Sequence, residues 1–163
     1  MTDAIVLNTS ESHPGGVAVV IPALNESLRI REVVEQVLRH APWVIVVDDG
    51  SSDDTAGCLD GLPVHLLRHP QRRGKGAALR TGFAAAVAAG ARGVVTMDGD
   101  GQHDPSDIPR LIAAAERHPH HIVIGARLRH RAQCPTHRRL ANSFGDWGVG
   151  WAAGYRIADS QSG

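Results

Sequence analysis

Five short apolar runs, spaced along the chain and separated by segments of a different period, constrain the fold more than any other feature. Val17-Ala18-Val19-Val20-Ile21 runs unbroken to Pro22, and Val44-Ile45-Val46-Val47 ends abruptly in Asp48-Asp49-Gly50. Residues 64–67 make the third run, Val94-Val95-Thr96-Met97 the fourth, ahead of Asp98-Gly99-Asp100, and Ile122-Val123-Ile124 the fifth. Runs without polar alternation suit strands covered on both faces of a parallel sheet. The segments between them read as helices. Ile30, Val33, Val34, Val37 and Leu38 recur at helical spacing among charged residues. Residues 74–89 are rich in alanine and stop at Gly90, a C-cap. Residues 105–107 cap a helix with Ile108, Leu111, Ile112 and Ala115 on its apolar face, and residues 51–55 offer caps for a shorter one.

This alternation predicts an α/β fold, a Rossmann-like and mostly parallel sheet with helices on both faces. One domain over residues 17–163 is expected, preceded by a flexible leader over residues 1–16. The polar clusters follow the first, second and fourth runs, at the carboxyl edge where open α/β sheets bind ligands. Residues 127–137 read as a basic, proline-containing loop and residues 138–153 as a further helix.

Composition removes several function classes. Lys plus Arg and Asp plus Glu number 17 each, so the basic excess that marks a nucleic-acid partner is missing. Cys58 and Cys134 form no CxxC pair and read as ordinary thiols of a reducing compartment. No apolar run approaches the roughly 20 residues of a membrane span, and residues 4–7 are too short an apolar stretch for a signal peptide. A cytoplasmic chain without a transmembrane segment is the expectation.

Asp98-Gly99-Asp100-Gly101-Gln102-His103 carries the sharpest chemistry. Two carboxylates flanking a glycine at a strand end can both turn toward one divalent cation, and Gln102 adds a carbonyl oxygen. Hard oxygen ligands suit Mg2+ or Mn2+, with a substrate phosphate completing the shell. The competing account is an acidic turn that caps the next helix. An EF-hand loop would need Gly and Glu where His103 and Pro109 stand. A P-loop would need Ser or Thr after Gly74-Lys75, where Gly76 stands. At the second cluster, Asp48 and Asp49 would accept hydrogen bonds from ribose hydroxyls or a base N–H, while helix capping accounts for Ser51 or Ser52. His118, His120 and His121 form either a metal cluster or, with Pro119, a solvated turn. Trp147 and Trp151, four residues apart, form a helix packing face, a sugar platform or a membrane-facing surface.

Four segments occur in order: Val20-Ile21-Pro22-Ala23-Leu24-Asn25-Glu26, then Val46-Val47-Asp48-Asp49-Gly50-Ser51-Ser52-Asp53-Asp54-Thr55, then Gly74-Lys75-Gly76-Ala77-Ala78, then the Asp98 loop. Together they resemble the family 2 glycosyltransferases of GT-A fold, and within them the dolichyl-phosphate mannosyltransferase-like branch. Asp159-Ser160-Gln161-Ser162-Gly163 resembles that branch's segment that continues with Phe-Arg, so the catalytic domain is expected to be incomplete at its C-terminus. The resemblance implies that Pro22, Asn25 and Glu26 lie beside the nucleotide base and ribose, and that Asp48 and Asp49 hold them. Asp98, Asp100 and Gln102 would bind the metal that bridges the diphosphate. Arg127 and Arg138 match basic positions that contact donor or acceptor phosphates. Lys75 is either a nucleotide-sugar contact or a solvated residue at a helix start.

The resemblance implies a metal-dependent, inverting transfer of a hexose from a nucleoside-diphosphate sugar to a polyprenyl or dolichyl phosphate. Its expected setting is the inner face of a membrane, with peripheral attachment. A phosphate acceptor, with a second pKa of about 6, is already ionised and needs no base. A sugar hydroxyl would need one, and Asp159 is the candidate. Transfer to a hydroxyl of a cell-envelope polysaccharide and a non-catalytic nucleotide-binding fragment are the alternative readings.

Overall fold

The computed structural model describes residues 5–8, 15–119 and 121–125. Its elements are β1 (Ile5–Asn8), β2 (Val17–Ala23), α1 (Ile30–Leu38), β3 (Val44–Asp48), β4 (His65–Arg68), α2 (Lys75–Ala88), β5 (Gly93–Thr96) and α3 (Ile108–Arg117). The strands form one sheet in the order β1-β4-β3-β2-β5. β2 is parallel to both β3 and β5, β3 is parallel to β4, and β1 closes the edge antiparallel to β4. From β2 the chain steps outward to β3 and β4, then crosses back to place β5 on the other side of β2. The order therefore reverses between β2 and β5, and such a switch point opens a crevice at the carboxyl ends of the strands.

The apolar runs are continuous because each strand feeds two cores. Successive side chains point to opposite faces. Val19, Ile21, Val44, Val46 and Leu66 pack on one face with Ile30, Val33, Val34 and Val37 of α1 and Ile108 of α3. Ala18, Val20, Ile45, Val47 and Leu67 pack on the other with Trp43 and with Ala78 and Ala86 of α2. The α2 face consists of small residues, which brings its backbone close to the sheet. At Gly82 a Cβ would lie 2.4 Å from Val20 Cγ1 and 3.3 Å from Val47 Cγ2.

Three elements differ from the sequence expectation. β2 runs through Pro22 to Ala23. The Val20 carbonyl faces β5, where it accepts from the Met97 N–H, and the Ala23 carbonyl faces β3, where it accepts from the Asp49 N–H. Pro22 therefore turns its missing donor toward β5, whose pairing ends opposite Val20, so no ladder bond is lost. Residues 5–8, expected within a flexible leader, form the edge strand β1, since a four-residue stretch suffices to pair with one neighbour. Residues 122–124 form no strand, and Ile122 and Ile124 are exposed. An apolar triplet is too short a signal to separate a strand from a surface segment.

Residues 1–116 form one compact unit and residues 117–163 a second. In the second, His121 N–H donates to the His118 carbonyl, and the two exposed rings meet edge to face, as in a solvated turn. Arg127, Cys134, Arg138, Trp147, Trp151, Asp159 and the helix expected over 138–153 lie outside the described residues. Among the described residues, no helix is long and apolar enough to cross a membrane.

The close approach at Gly82 makes a contrast with Gly76, which has open space around its Cβ position. Gly82→Ala should destabilise the fold, because overpacking costs about 1–3 kcal/mol against a helix-propensity gain of at most about 1 kcal/mol. Gly76→Ala should be neutral or stabilising. Urea unfolding of both variants checks the pair, and equal midpoints would mean that α2 does not rest on the sheet at Gly82.

Candidate functional site

The loop that leaves β2 and the loop that leaves β3 clasp each other by hydrogen bonds. Asn25 takes a positive φ of 57°, which asparagine tolerates better than most residues. Its N–H donates to Ser51 Oγ at 2.9 Å, and its Oδ1 accepts from the Ser52 N–H at 2.9 Å. The Glu26 N–H donates to Thr55 Oγ1 and the Ser27 N–H to Asp53 Oδ2. Ser51 and Thr55, expected to cap a helix, serve the neighbouring loop instead. The helical segment here is a single 3-10 turn, Gly57–Leu59, with no side-chain cap. Asp53 also accepts from the Thr55 hydroxyl and N–H. The Thr55 hydroxyl foremost, opposed next by desolvation and then aided by Ser27, holds its carboxyl down at about 2.

Asp48 and Asp49, expected to hold base and ribose, are both buried and both engaged within the chain. Asp48 Oδ1 accepts from the Ser51 N–H at 2.8 Å. Arg68 Nε lies 3.1 Å from Asp48 Oδ2, near enough for an ion pair but without hydrogen-bond alignment, which leaves that oxygen short of a partner. Asp49 has a fuller set. Its Oδ1 accepts from the Arg73 N–H at 2.9 Å and its Oδ2 from the Gly74 N–H at 2.7 Å. His69 Nδ1, 2.7 Å from Asp49 Oδ1, must be the donor because a carboxylate has no proton to give. His69 is fully buried, and its Nε2 lies 2.9 Å from Thr81 Oγ1 of α2. Burial pushes the Asp49 carboxyl up, but the His69, Arg73 and Gly74 bonds outweigh it and hold it below the ordinary value.

The third loop leaves β5. Gly99 is buried, and a Cβ there would lie 3.0 Å from Ile30 Cδ1, so the turn rests on the start of α1. Arg29 Nη1 donates to the Asp100 carbonyl at 3.0 Å. The Gln102 N–H donates to Asp100 Oδ1 at 2.9 Å, so the main chain of Gln102 sets the Asp100 carboxylate while its side chain stays exposed. Lys75 Nζ lies 2.7 Å from Asp98 Oδ1, and His103 Nε2 lies 4.0 Å from Asp98 Oδ2. Glu26 looks onto the same edge. Burial first, then the charge of Asp100, push its carboxyl up; Arg29 opposes them, and Asp53 and Asp98 add to the rise. Negative charge thus accumulates where the β2 and β5 loops meet.

The donor set suits a hard divalent cation. Among the described residues, no three His, Cys, Asp or Glu side chains gather to hold a metal ion. A Mg2+-type site does not require such a cage, because one or two carboxylates suffice when substrate phosphates and water supply the other ligands. Asp98 and Asp100 meet that requirement at an edge whose charge already pushes Glu26 upward. Of the expected site residues, the fold brings Pro22, Asn25, Glu26, Lys75, Asp98, Asp100 and Gln102 to one carboxyl edge and places Asp48 and Asp49 beneath it. His69, Thr81 and Arg29 escaped sequence reasoning. A histidine at the end of an apolar run was the available signal for His69, while Thr81 and Arg29 sit in unremarkable helical pattern.

Residues 18–159 match the family described as "Glycosyl transferase family 2", and the chain belongs to that family. It is 32% identical over 166 residues to the UDP-N-acetylglucosamine–dolichyl-phosphate N-acetylglucosaminyltransferase of Methanococcus voltae, a match covering 88% of this chain and 66% of the relative. It is 36% identical over 106 residues to the polyprenol monophosphomannose synthase of Mycolicibacterium smegmatis, covering 60% of this chain and 40% of the relative. It is 29% identical over 154 residues to the dodecaprenyl-phosphate galacturonate synthase of Rhizobium johnstonii, covering 87% and 44%. The chain thus spans between 40% and 66% of the length of these relatives. Among solved structures, TarS 1-349 of S. aureus shares the fold with a TM-score of 0.53 at 20% identity, over 64% of this chain and 33% of that one. The fold is the α/β GT-A fold.

This geometry predicts two outcomes. Asp49→Ala should destabilise the protein by about 3 kcal/mol or more, because it strands buried His69 and two N–H groups. An unchanged urea midpoint would show that the carboxylate does not hold this region together. For Asp53, a depressed folded-state pKa contributes stability that is complete above the unfolded value of about 3.9 and is lost as pH falls toward about 2. Asp53→Asn should therefore lower the melting temperature at neutral pH and flatten its fall between those two pH values. A melting curve with the wild-type acid dependence would count against the Asp53 bonds.

Proposed function

We propose that this chain is the nucleotide-sugar-binding, catalytic part of a glycosyltransferase that moves a hexose from a nucleoside-diphosphate sugar to a polyprenyl or dolichyl phosphate. The observation that carries this reading is the meeting of the β2 and β5 loops, with Glu26, Asp98 and Asp100, at the carboxyl edge of a family 2 sheet. The names of the relatives, which speak of dolichyl, polyprenol and dodecaprenyl phosphates, support the acceptor class.

In this reading Pro22, Asn25 and Glu26 line the base and ribose, with Asp48 and Asp49 fixing the loops beneath them. Asp98 and Asp100 would hold Mg2+ or Mn2+, with the Gln102 main chain setting the Asp100 carboxylate. The chemistry a cation supplies at such a position is offset of the charge growing on the leaving diphosphate. Lys75 adds a positive charge on the same side. Arg127 and Arg138 orient the acceptor phosphate and screen its repulsion from the donor. A phosphate acceptor is ionised at neutral pH, so attack on the anomeric carbon proceeds without a general base and inverts the configuration. Asp159 becomes the base only if the acceptor is a hydroxyl.

The test begins with isothermal titration of UDP and GDP, with and without Mn2+. Mn2+ should tighten binding of one of them, and Asp100→Ala should remove that enhancement while leaving the fold intact. The transfer step belongs on a protein of the relatives' full length, supplied with labelled nucleotide sugar and either a polyprenyl phosphate or the corresponding alcohol. Label should enter the phosphate alone, and Arg138→Ala should cut transfer far more than nucleotide binding. Equal affinity in EDTA and Mn2+ would overturn the metal site, and equal labelling of both lipids would overturn the acceptor.

A further inference from the structure

The carboxylate proposed to receive a divalent cation already faces a cation of the protein. Lys75 Nζ sits 2.7 Å from Asp98 Oδ1, with Asp98 only 24% exposed and Lys75 52% exposed. Among the described residues, His103 also approaches this carboxylate, at 4.0 Å from its second oxygen.

The position of Lys75 is set by a closed ring of contacts. Lys75 is the first residue of α2, and the two residues before it are tied down by the Arg73 and Gly74 N–H bonds to Asp49. Asp49 is held in turn by His69, and His69 meets Thr81, which lies further along α2 itself. The stretch between is pressed onto the end of β3. At Gly50, with its φ of 74°, a Cβ would lie 2.5 Å from the Gln71 carbonyl carbon and 2.6 Å from the Arg72 nitrogen. A long, partly exposed side chain thus projects from a fixed root directly beside Asp98.

We infer that Lys75 competes with the divalent cation for Asp98, so that the metal binds weakly by itself and tightly once a diphosphate arrives to take over the ammonium. This rests on the proposed nucleoside-diphosphate reading of the site. An ammonium and a divalent cation cannot both sit at hydrogen-bonding range of one carboxylate oxygen without strong repulsion. A diphosphate removes the conflict, since it offers Lys75 new acceptors and supplies the metal with further oxygen ligands. Metal and nucleotide then favour each other's binding, and the coupling is reciprocal. His69 is a positioning residue for this exchange, acting through Asp49 and Gly74.

The experiment is Mn2+ titration of the intact chain followed by the electron paramagnetic resonance of free Mn2+, alone and with UDP or GDP. Lys75→Met should bind Mn2+ alone roughly three- to tenfold more tightly than wild type, and the enhancement brought by the nucleotide should shrink. Lys75→Arg, which keeps the charge, should stay close to wild type. His69→Gln, its fold checked by circular dichroism, should reproduce part of the Lys75→Met effect, and the double variant should add little to Lys75→Met alone. Mn2+ affinity without nucleotide that is unchanged or weaker in Lys75→Met overturns the competition, as does Lys75→Arg behaving like Lys75→Met. Full additivity of the His69 and Lys75 changes overturns the positioning role. No Mn2+ bound by wild type or Lys75→Met, with or without nucleotide, would defeat the metal reading itself. Mn2+ bound equally by both defeats only the competition.

Discussion

Asp49 is the group on which the arrangement of the carboxyl edge depends. A buried carboxylate is costly unless its lone pairs are filled, and here a histidine ring and two main-chain N–H groups fill them. Those partners belong to the segment that connects β4 to α2. Satisfying one charge therefore fixes the start of α2 against the end of β3. The His69 contact with Thr81 ties the same charge to the body of α2, so helix and sheet edge cannot shift independently. The same bonds hold the Asp49 carboxyl below its ordinary pKa in spite of burial, which keeps it charged across the physiological range.

Around that anchor the loops divide their work by exposure. Ser51, Thr55 and Asp53 turn inward to satisfy the N–H groups of residues 25–27, which would otherwise be left without acceptors at the point where β2 ends and α1 has not begun. Asp98, Asp100 and Glu26 remain partly exposed. Their charges are offset only in part, by Lys75 at Asp98 and by Arg29 near Glu26. A lower layer of hydrogen-bonded acids thus lies beneath an upper layer of partly exposed carboxylates.

The sheet makes this edge possible through its packing. β3 is buried over its whole length, so Asp48 and Asp49 emerge from an interior strand rather than from a surface loop, and their burial is a consequence of where the strand ends. α2 approaches the sheet through alanine and glycine, and the Gly82 contact with Val20 fixes its distance.

Much of this was legible in the sequence. Unbroken β-branched runs and a 3.6-residue repeat point to a mostly parallel sheet with helices on both faces, because strands apolar on both sides need a covering layer on each. Acids placed directly after strands determine which edge is charged. The family resemblance rested on the same residues. What the sequence could not decide was which of those acids faces outward. Asp48-Asp49 and Asp98-Gly99-Asp100 read alike as acidic strand ends, yet the first pair is buried, with Asp49 held by a full set of internal partners, and the second stays partly open. That difference depends on residues distant in sequence, His69, Gly74, Arg29 and Ile30, that only the folded chain brings within reach. Strand ends were equally unreadable where pairing decides them. Pro22 continues β2 because β5 stops short of it, residues 5–8 become a strand because β4 offers an edge, and residues 122–124 do not. Local pattern specifies what a segment is able to form, and the presence of a partner in three dimensions decides whether it does.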